Sequence, residues 1–592
     1  MAGASILGAA VVGTTGSLLA VEPSSAAPAT TYTVDSSADG VADPTHCTNV
    51  TTGDCTLRDA IAAANANSGS DTIVFDTTVF DPTGSTQILL TNAFLPVTDA
   101  VTITGVGAQH LRVSGNGVSS VFDLYGFTGD VPISDLTVTS GAAPSGLNGG
   151  AIFAMHTGAL TVRDAKLSGS SADGGGCLAV HPNVTDVTVD GVAFEYCAAT
   201  LTHGGAILAE NSGDLTVMNS SFSYSSSMIN GGAIFAMNLG DCSITGSNIS
   251  SSFANQQGAG AFISVPGSVT IDTTLFGNGN AAQQGGGAVI DTATPHQTSV
   301  ITGSMFWQNT SAYVGSALMF TGYLGDVTIA NSTFTYNNTT STVNGGGTIG
   351  FYSGDLKIFE STIAGNTSAG HYAGLWLYGH AGAYQNSLTI SGTILSGNTA
   401  TDNSFQAQDI GVVPDVAHPF SFDVDHSIIG DHSSAATLND LGGTLTGITN
   451  LGLAGPSANG GPTSTRALMP GSPAIDAGPN TIATFPGNQF DQRGTGYDRI
   501  SGTTSDIGAF EVQVPPTPTS STSSTTSSTT SSTTNPSSTS STIDTNDETS
   551  LPRTGGDPRG LLLTGASVAA IGAAGTWAAR RRQRPAMRHA RR

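Results

Sequence analysis

LTVMNSSF, residues Leu215–Phe222, is one copy of an eight-residue pattern that recurs along the chain. The pattern is an apolar residue, Thr, a second apolar residue, two variable residues, a small residue, any residue and a final apolar residue. Further copies are Leu160–Leu167, Val187–Phe194, Cys242–Ile249, Val269–Phe276, Val327–Phe334, Leu356–Ile363 and Leu388–Leu395, with a looser copy ending at Phe306. Alternating apolar residues indicate strands rather than helices.

A second motif, a pair of glycines followed by two small or apolar residues, lies between these copies. It occurs at Gly149–Ile152, Gly175–Leu178, Gly204–Ile207, Gly231–Ile234 and Gly286–Val289. Successive copies of the first pattern mostly start 27 to 29 residues apart. A unit of this size cannot bury its own apolar face and must stack on its neighbours. The sequence therefore predicts an all-β fold, a right-handed parallel β-helix over residues 101–435, with coils about 4.8 Å apart.

An asparagine column supports this alignment. Asn309, Asn337, Asn366 and Asn398 each follow the final apolar position of their copy by three residues. Stacked asparagines can share amide hydrogen bonds along a common axis. We therefore expect these four side chains to lie one above the other.

The composition excludes some classes of partner. The chain has 592 residues, 77 of them Gly, and a formal net charge of −25. Without residues 1–29 and those after Thr554, it keeps nine basic and 40 acidic residues, an excess of 31 acidic residues. A nucleic-acid partner would require clustered Lys and Arg. We therefore expect no nucleic-acid binding.

Two segments outside the repeats have no features of a folded core. Residues 1–29 are small and apolar and end at Ala27-Pro28-Ala29, which is typical of a secretory signal peptide and its cleavage site. Residues 515–550 are rich in Pro, Ser and Thr and contain almost no apolar residues. Such a tract cannot bury a core and is predicted to be an extended, disordered linker.

The C-terminal segment, residues 551–592, combines three features in order. Leu551-Pro552-Arg553-Thr554-Gly555 is followed by an apolar run over 561–579 and then by an arginine-rich tail. About 19 apolar residues can cross a membrane, and the arginines favour the cytoplasmic side. The segment resembles the sorting signal of Gram-positive surface proteins, in which L-P-x-T-G precedes a membrane span. That resemblance implies sortase cleavage after Thr554, attachment of its carboxyl group to peptidoglycan, and only transient membrane contact through 561–579.

Two further resemblances concern the ends of the folded part. Tyr32–Val34 and Cys55–Ile61 resemble the "CSLREA" N-terminal motif of bacterial surface proteins, and Leu57, Ala60, Ile61 and Ala64 form one stripe of a short cap helix. Asn459–Thr463, Pro470–Gly478, Asp491–Gly494 and Asp506–Glu511 resemble the choice-of-anchor Q domain. The resemblances imply an N-terminal cap over 30–100 and a C-terminal cap over 436–514. In that second cap, Asp491, Arg493 and Asp506 are predicted to form a structural ion-pair network.

Five cysteines are present. Cys47 and Cys55 bracket a short polar loop and are predicted to form a disulfide in an oxidising compartment. Cys177, Cys197 and Cys242 fall in columns of small or apolar residues, where packing as buried free thiols is the favoured interpretation. A Cys177–Cys197 disulfide is the alternative.

An acidic column is the strongest candidate for a metal site. Asp186, Asp214 and Asp241 immediately precede the eight-residue pattern in consecutive coils. Carboxylates one coil apart repel one another, and calcium prefers several oxygen ligands, which motivates a calcium hypothesis. The competing interpretation, which we favour, is that each Asp accepts a backbone N–H in its Gly-Asp turn.

Two other groups of residues are candidates for carbohydrate chemistry. An aromatic cluster late in the repeats is a candidate sugar-binding platform: Tyr372, Trp376, Tyr378 and Tyr384, with His371 and His380. Asp190, Glu195 and Glu210 belong to one coil, and hydrolysis of a glycoside requires paired carboxylates. We interpret these acids as solvated and name no catalytic residues.

The features together indicate a cell-wall-anchored surface protein of a Gram-positive bacterium. We expect an adhesin-like or glycan-contacting β-helix without catalysis, with sortase and peptidoglycan as partners and a carbohydrate or a neighbouring cell surface as ligand. The alternatives are an extracellular polysaccharide lyase or glycoside hydrolase on the same scaffold, and a passive structural rod.

Overall fold

The chain folds into a right-handed parallel β-helix, as predicted. The computed structural model describes residues 28–48, 53–281, 283–291, 297–322, 325–342, 345–379, 386–402, 408–413, 420–432 and 437–514. Residues 1–27 of the predicted signal peptide, the linker 515–550 and the sorting signal 551–592 lie outside these ranges. Within them, no helix has both the length and the apolar character that spanning a membrane requires.

Each coil contributes strands to as many as four parallel sheets, which we number in the order in which the chain visits them. Sheet 1 comprises Thr31–Val34, Asp71–Phe75, Val101–Thr104, Val131–Ser134, Leu160–Arg163, Val187–Asp190, Leu215–Met218, Cys242–Thr245, Val269–Asp272, Thr298–Thr302, Gly325–Ala330, Gly354–Phe359, Asn386–Ser391, Phe420–Asp425 and Leu438–Gly442. Sheet 2 comprises Thr86–Leu89, Leu111–Ser114, Thr137–Thr139, Lys166–Ser168, Ala193–Glu195, Ser221–Ser223, Asn248–Ser250, Leu275–Gly277, Met305–Trp307, Thr333–Thr335, Thr362–Ile363, Ile394–Leu395, Ile428–Ile429 and Leu445–Thr446.

The other two sheets close the coil. Sheet 3 comprises Ser171–Ala172, Ala198–Ala199, Ser226–Ser227, Phe253–Ala254, Asn280–Ala281, Thr310–Ser311, Asn338–Thr339, Thr367–Ser368 and Thr399–Ala400. Sheet 4 comprises Leu95–Val97, Phe122–Tyr125, Ile152–Met155, Leu178–Val180, Ile207–Glu210, Ile234–Met237, Ala261–Ser264, Ala288–Asp291, Leu318–Thr321, Ile349–Phe351, Leu375–Tyr378 and Ile410–Val413. Parallel pairing thus extends beyond the predicted limits of 101 and 435, from Thr31 to Thr446.

Residues at corresponding positions of the repeat lie in register. Val187 pairs with Leu215, and Leu215 pairs with Cys242. Inside the solenoid the final apolar residues of the pattern form a stack, in which the rings of Phe194 and Phe222 are parallel with centroids 4.6 Å apart. This centroid distance matches the spacing of about 4.8 Å between neighbouring strands, as expected when each coil contributes one ring to the stack. The prediction of columns along one axis is therefore confirmed.

The eight-residue pattern spans two strands rather than one. Leu215–Met218 lies in sheet 1 and Ser221–Ser223 in sheet 2, and Asn219 turns the chain between them with φ of 51°. The small residue that follows has a specific role: the Ser220 hydroxyl accepts the Val192 N–H at 3.1 Å, and the Ser220 N–H is donated to the Ser247 hydroxyl at 3.1 Å. Buried hydroxyls therefore replace the strand hydrogen bonds that the corner interrupts.

The Gly pair before sheet 4 allows two coils to approach closely. A Cβ atom at Gly205 would collide with the carbonyl oxygen of Gly232 and the backbone nitrogen of Ser226. We therefore expect Gly205→Ala to lower the free energy of unfolding by about 1–3 kcal/mol, because overpacking displaces the neighbouring backbone. Gly40→Ala is the control, since its Cβ meets nothing within 4 Å, and it should change stability by less than about 0.5 kcal/mol. Urea unfolding of both variants measures the difference.

A short helix covers the first coil. It spans Leu57–Ala66 and begins with a capping box, in which the Thr56 side chain accepts the Asp59 N–H and the Asp59 carboxylate accepts the Thr56 N–H. All four residues of the predicted stripe are buried on the core side. A 3-10 helix, Pro44–Cys47, precedes it. The predicted N-terminal cap helix is confirmed.

The C-terminal region packs along the side of the solenoid. After Thr446 the chain leaves the sheets, and residues 451–514, which we call the strap, form an antiparallel pair, Leu453–Ser457 with Thr465–Leu468. The strap then contacts several coils: the Thr463 hydroxyl donates to the Gly303 carbonyl, and the Gly508 N–H donates to the Gly392 carbonyl at 2.7 Å. These contacts lie on the corner between sheets 1 and 2, so the strap covers the side of several coils.

Candidate functional site

The acidic column forms a ladder of hydrogen bonds. The Asp186 carboxylate accepts the Asp214 N–H at 3.0 Å, and the Asp214 carboxylate accepts the Asp241 N–H at 2.7 Å. Asp241 in turn accepts the N–H of Ser268. Each Asp therefore accepts a backbone N–H, as the favoured interpretation predicts. The N–H group belongs to the next coil, however, and not to the Gly-Asp turn of the residue itself. Within the described ranges, no group of three or more His, Cys, Asp or Glu side chains is arranged to hold a metal ion.

The three acids that one coil contributes face in different directions. Asp190 ends a strand of sheet 1, Glu195 ends a strand of sheet 2 and Glu210 ends a strand of sheet 4. Asp190 lies 3.5 Å from Arg163, and Glu195 lies 2.7 Å from Lys166. The acids therefore do not converge on one point, as glycoside hydrolysis by a carboxylate pair requires.

The late aromatic cluster is largely buried. Tyr372 and Trp376 are 6 % and 7 % exposed, and they pack with Val289, Val314 and Met319 on the outer surface of sheet 4. The interpretation of these two rings as a sugar-binding platform is therefore wrong, because a sugar could not reach ring faces that are buried. Tyr378 is partly buried in the same cluster. Tyr384 and His380 lie outside the described residues.

The cysteines form two pairs. Cys47 is joined to Cys55, next to the cap helix, and Cys177 is joined to Cys197 of the next coil. The preference for three buried free thiols is therefore wrong for Cys177 and Cys197. Cys242 is free and buried, and burial raises the pKa of its thiol to about 12. A thiol of this kind is inert at neutral pH.

Two tyrosines form an exposed stack at the corner between sheets 2 and 3. Tyr196 and Tyr224 are 61 % and 56 % exposed, and their rings are parallel, with centroids 5.1 Å apart and an interplanar angle of 6°. Both have φ of 54°, a conformation that is unfavourable for bulky residues. The same corner position also has a positive φ in other coils, for example at Gly169, Ser251 and Asn278, so the conformation belongs to the repeat and the exposed, stacked rings are what distinguish this pair. We call this pair the tyrosine edge.

The ring faces at both ends of the tyrosine edge adjoin small residues. The corresponding corner positions are Gly169 in the preceding coil and Ser251 in the following one. A Cβ at Gly169 would meet only the Thr139 hydroxyl, at 3.9 Å. The outer face of the Tyr196 ring is therefore not covered by a side chain from that corner. The Lys166–Glu195 ion pair, with both side chains partly exposed, lies in the adjoining strands and places charged hydrogen-bonding groups beside the rings.

A second unusual group is a cluster of buried charges between the strap and the solenoid. Arg499, in the strap, is 1 % exposed, and its guanidinium lies 3.1 Å from the Glu360 carboxylate and 3.9 Å from the Glu511 carboxylate. It also donates to the Gly508 carbonyl at 2.8 Å. Glu360 is at the corner between sheets 1 and 2, with φ of 47°. The cluster joins the strap to the solenoid through residues that are far apart in sequence, since Glu360 and Arg499 are separated by 139 residues.

The predicted network of Asp491, Arg493 and Asp506 is only partly present. The Arg493 guanidinium donates three hydrogen bonds to the Asp491 carboxylate, the shortest at 2.6 Å, and lies 3.9 Å from the ring centroids of both Tyr497 and Phe510. Asp506 instead accepts the N–H groups of two strap residues, Asp476 and Val512. It therefore stabilises the strap backbone rather than an ion pair.

The buried carboxyls make the strap sensitive to pH. Burial raises the pKa of Glu360 from 4.5 to about 8 and that of Glu511 from 4.5 to about 7. Because both folded-state values are raised, the associated stability is fully present below about pH 4.5 and is lost as the pH rises through 7 and 8. We therefore expect the strap to melt several degrees higher near pH 5 than above pH 8. Calorimetry at both pH values measures this shift, and Glu360→Gln, which stays neutral, should remove most of it.

Comparisons with known proteins add little to this description. No protein-family description matches the chain, and no curated protein matches it. Among solved structures, the crystal structure of pectate lyase Pel9A is similar over 82 % of this chain and 97 % of that chain, with 12 % sequence identity and a TM-score of 0.31. The assignment of the chain to the parallel β-helix fold rests on its own strand pairing.

Proposed function

We propose that the chain is a surface protein of a Gram-positive bacterium, attached to peptidoglycan by sortase, and that its β-helix contacts glycans without catalysis. The attachment rests on the sequence from Leu551 to Arg592, where a sortase motif, an apolar run and a basic tail occur in that order. The linker 515–550 would carry the solenoid away from the wall. The glycan contact rests on the tyrosine edge.

The exposed, parallel rings of Tyr196 and Tyr224 are the observation that carries the glycan contact. One face of a sugar ring is lined with C–H groups, which pack well on the face of an aromatic ring. The space over Gly169 leaves one face of Tyr196 open to such a ring. The Lys166–Glu195 pair provides a donor and an acceptor for sugar hydroxyls. The apolar side chains of Leu201, Met228 and Phe253, all more than 40 % exposed, extend the surface.

The placement of acids favours binding over hydrolysis. Asp190, Glu195 and Glu210 project from three different sheets, and the first two are paired with basic residues. A glycan on the tyrosine edge would meet Glu195 alone of these three. A single carboxylate in an ion pair lacks the partner that glycoside hydrolysis requires.

The attachment is tested by expressing the chain in a Gram-positive host that contains sortase. The unchanged chain should appear in the cell-wall fraction and be released by a peptidoglycan hydrolase. Thr554→Ala should abolish the covalent attachment, and Thr549→Ala, just before the motif, should leave it intact. Equal wall attachment of the Thr554→Ala chain would contradict the proposal.

The glycan contact is tested with a glycan array followed by affinity measurement on the strongest binders. Stacking of a nucleic-acid base on an aromatic ring contributes about 1–3 kcal/mol. We expect a similar contribution from a sugar ring, so Tyr196→Ala with Tyr224→Ala should weaken binding about tenfold or more. Tyr125→Ala is the control, because Tyr125 is 53 % exposed but lies on sheet 4. Loss of affinity in the control alone, or no binder on the array, would overturn the glycan contact. Release of reducing sugar from a bound polysaccharide would favour the enzymatic alternative.

A further inference from the structure

A cavity of about 250 Å³ lies where the chain entering the strap passes the corner between sheets 2 and 3. Residues 448–453 form one wall, and the corners of two coils, at Gly365 and Gly397, form the other. These glycines have φ of 75° and 76° and occupy the column that holds Tyr196 and Tyr224 in earlier coils. A Cβ at Gly397 would lie 3.2 Å from a methyl carbon of Leu451. The cavity therefore depends on the absence of side chains at this corner.

Arg466 is the charged residue that lines the cavity. Its guanidinium Nε donates to the Ala454 carbonyl at 2.9 Å, and Nη1 donates to the Ala364 carbonyl at 3.2 Å. The guanidinium carbon lies 5.9 Å from the ring centroid of Tyr336. Two backbone carbonyls and an aromatic ring thus hold the side chain in place from different sides.

The charge of Arg466 is not neutralised by the protein. Arg466 has no carboxylate within 4 Å among the residues that the structure describes, and the same is true of the exposed Arg112. A carboxylate does lie within 4 Å of each of the other described arginines, namely Arg58, Arg163, Arg493 and Arg499. The lack of a partner is notable in a sequence with 42 acidic and 17 basic residues. Burial lowers the pKa of Arg466, and a partly buried cation without a counter-charge is unfavourable. An anion bound in the cavity would remove that cost.

We infer that this cavity, the Arg466 cleft, binds a small oxyanion, namely the carboxylate or phosphate group of a monosaccharide-sized ligand. Nε and one N–H of Nη1 donate to backbone carbonyls, which leaves Nη2 and the other N–H of Nη1 to donate to such a group. The volume is below that of sites for drug-sized ligands, which limits the ligand to one small unit. The acidic surface of the chain repels long polyanions, so a single anionic group is favoured. The inference does not rest on the proposed function, because it involves none of the residues of the tyrosine edge.

The test is calorimetric titration of the full chain with glucuronate, with glucose 6-phosphate and with glucose. We expect at least one anion to bind at the Arg466 cleft and neutral glucose to bind at least tenfold more weakly. Arg466→Gln should weaken anion binding at least tenfold and Arg466→Lys less, whereas Arg112→Gln should leave it unchanged. The two anions distinguish a carboxylate from a phosphate ligand. Absence of binding by both anions, or equal binding of glucose, would overturn the inference.

A second variant keeps the test valid if loss of Arg466 disturbs the strap. Gly397→Asn leaves Arg466 in place, and Asn tolerates a positive φ better than most residues. Its side chain would enter the cavity beside Leu451. We expect the melting temperature to stay within a few degrees of the unchanged chain and anion binding to fall at least tenfold. Anion binding that persists in both Gly397→Asn and Arg466→Gln would place the anion elsewhere and contradict the inference.

Discussion

Above pH 8, where the Glu360 and Glu511 carboxyls are ionised, Arg499→Met is expected to lower the free energy of unfolding of the strap by about 3–5 kcal/mol, the cost of breaking a buried ion pair by removing one partner. Glu360 and Glu511 would remain buried without the cation that lies 3.1 and 3.9 Å from them. Gly508 would also lose the donor to its carbonyl. Limited proteolysis and calorimetry would detect the change as early cleavage within 451–514 and a separate transition at lower temperature.

The matched control for this change is Arg112→Met. Arg112 lies in a strand of sheet 2 with its side chain exposed, and the substitution should alter stability by less than about 0.5 kcal/mol. A double variant, Arg499→Met with Glu360→Gln, should recover part of the loss, because the neutral amide is less costly to bury than a carboxylate. Equal stability of the Arg499→Met chain and the unchanged chain would show that the buried cluster does not hold the strap.

Asn337→Ala is the other substitution with a large expected effect. The Asn337 side chain donates to the Phe306 carbonyl and to the Asn366 amide oxygen, both at 2.9 Å, and accepts the backbone and side-chain N–H groups of Asn309 at 2.9 and 3.0 Å. All of these groups are buried. Since each buried polar group left without a partner costs about 1–3 kcal/mol, we expect a loss of about 4 kcal/mol or more in urea unfolding.

Asn338→Ala separates this effect from a general loss of asparagine. Asn338 is the next residue, and its amide oxygen accepts one hydrogen bond from the Thr367 hydroxyl at 2.9 Å near the surface. Its replacement should cost less than about 1 kcal/mol. If Asn337→Ala and Asn338→Ala were equally destabilising, the asparagine stack would not contribute to stability in the way the geometry indicates.

The features that repeat along the chain were predictable from the sequence. The asparagine stack is present as expected, with Asn309, Asn337, Asn366 and Asn398 linked by amide hydrogen bonds of 2.8–3.0 Å. The stack continues into Asp409, whose carboxylate accepts from Asn398 at 2.7 Å and which the alignment did not reveal. Burial raises the pKa of Asp409 to about 6. Periodic spacing in the sequence identifies the residues of a column. Asp409 lies only 11 residues after Asn398, which does not match the repeat length, so the alignment could not place it in the asparagine column.

The candidate sites were harder to predict, because they depend on the corners and on the strap. Tyr196 and Tyr224 follow the last residues of two sheet 2 strands, and only the position of the corner makes them exposed. Tyr372 and Trp376 are also aromatic, but both are buried. The contact of Arg499 with Glu360 joins the strap to the solenoid, and the strap does not carry the sequence repeat that aligns the coils. The sequence did not single out Glu360 either, because the same corner column also holds the acidic residues Asp135 and Asp164.

The strap changes how the solenoid should open. In a one-dimensional array each rung touches only its neighbours, so fraying can begin at any rung and spread. The strap links rungs that are not neighbours: its bonds reach Gly303, Asn331, Glu360 and Gly392. These rungs must therefore lose their amide protection against hydrogen exchange together, as one cooperative block, while the rungs before them exchange one after another. A pulling force applied through the C-terminal linker would meet this block first.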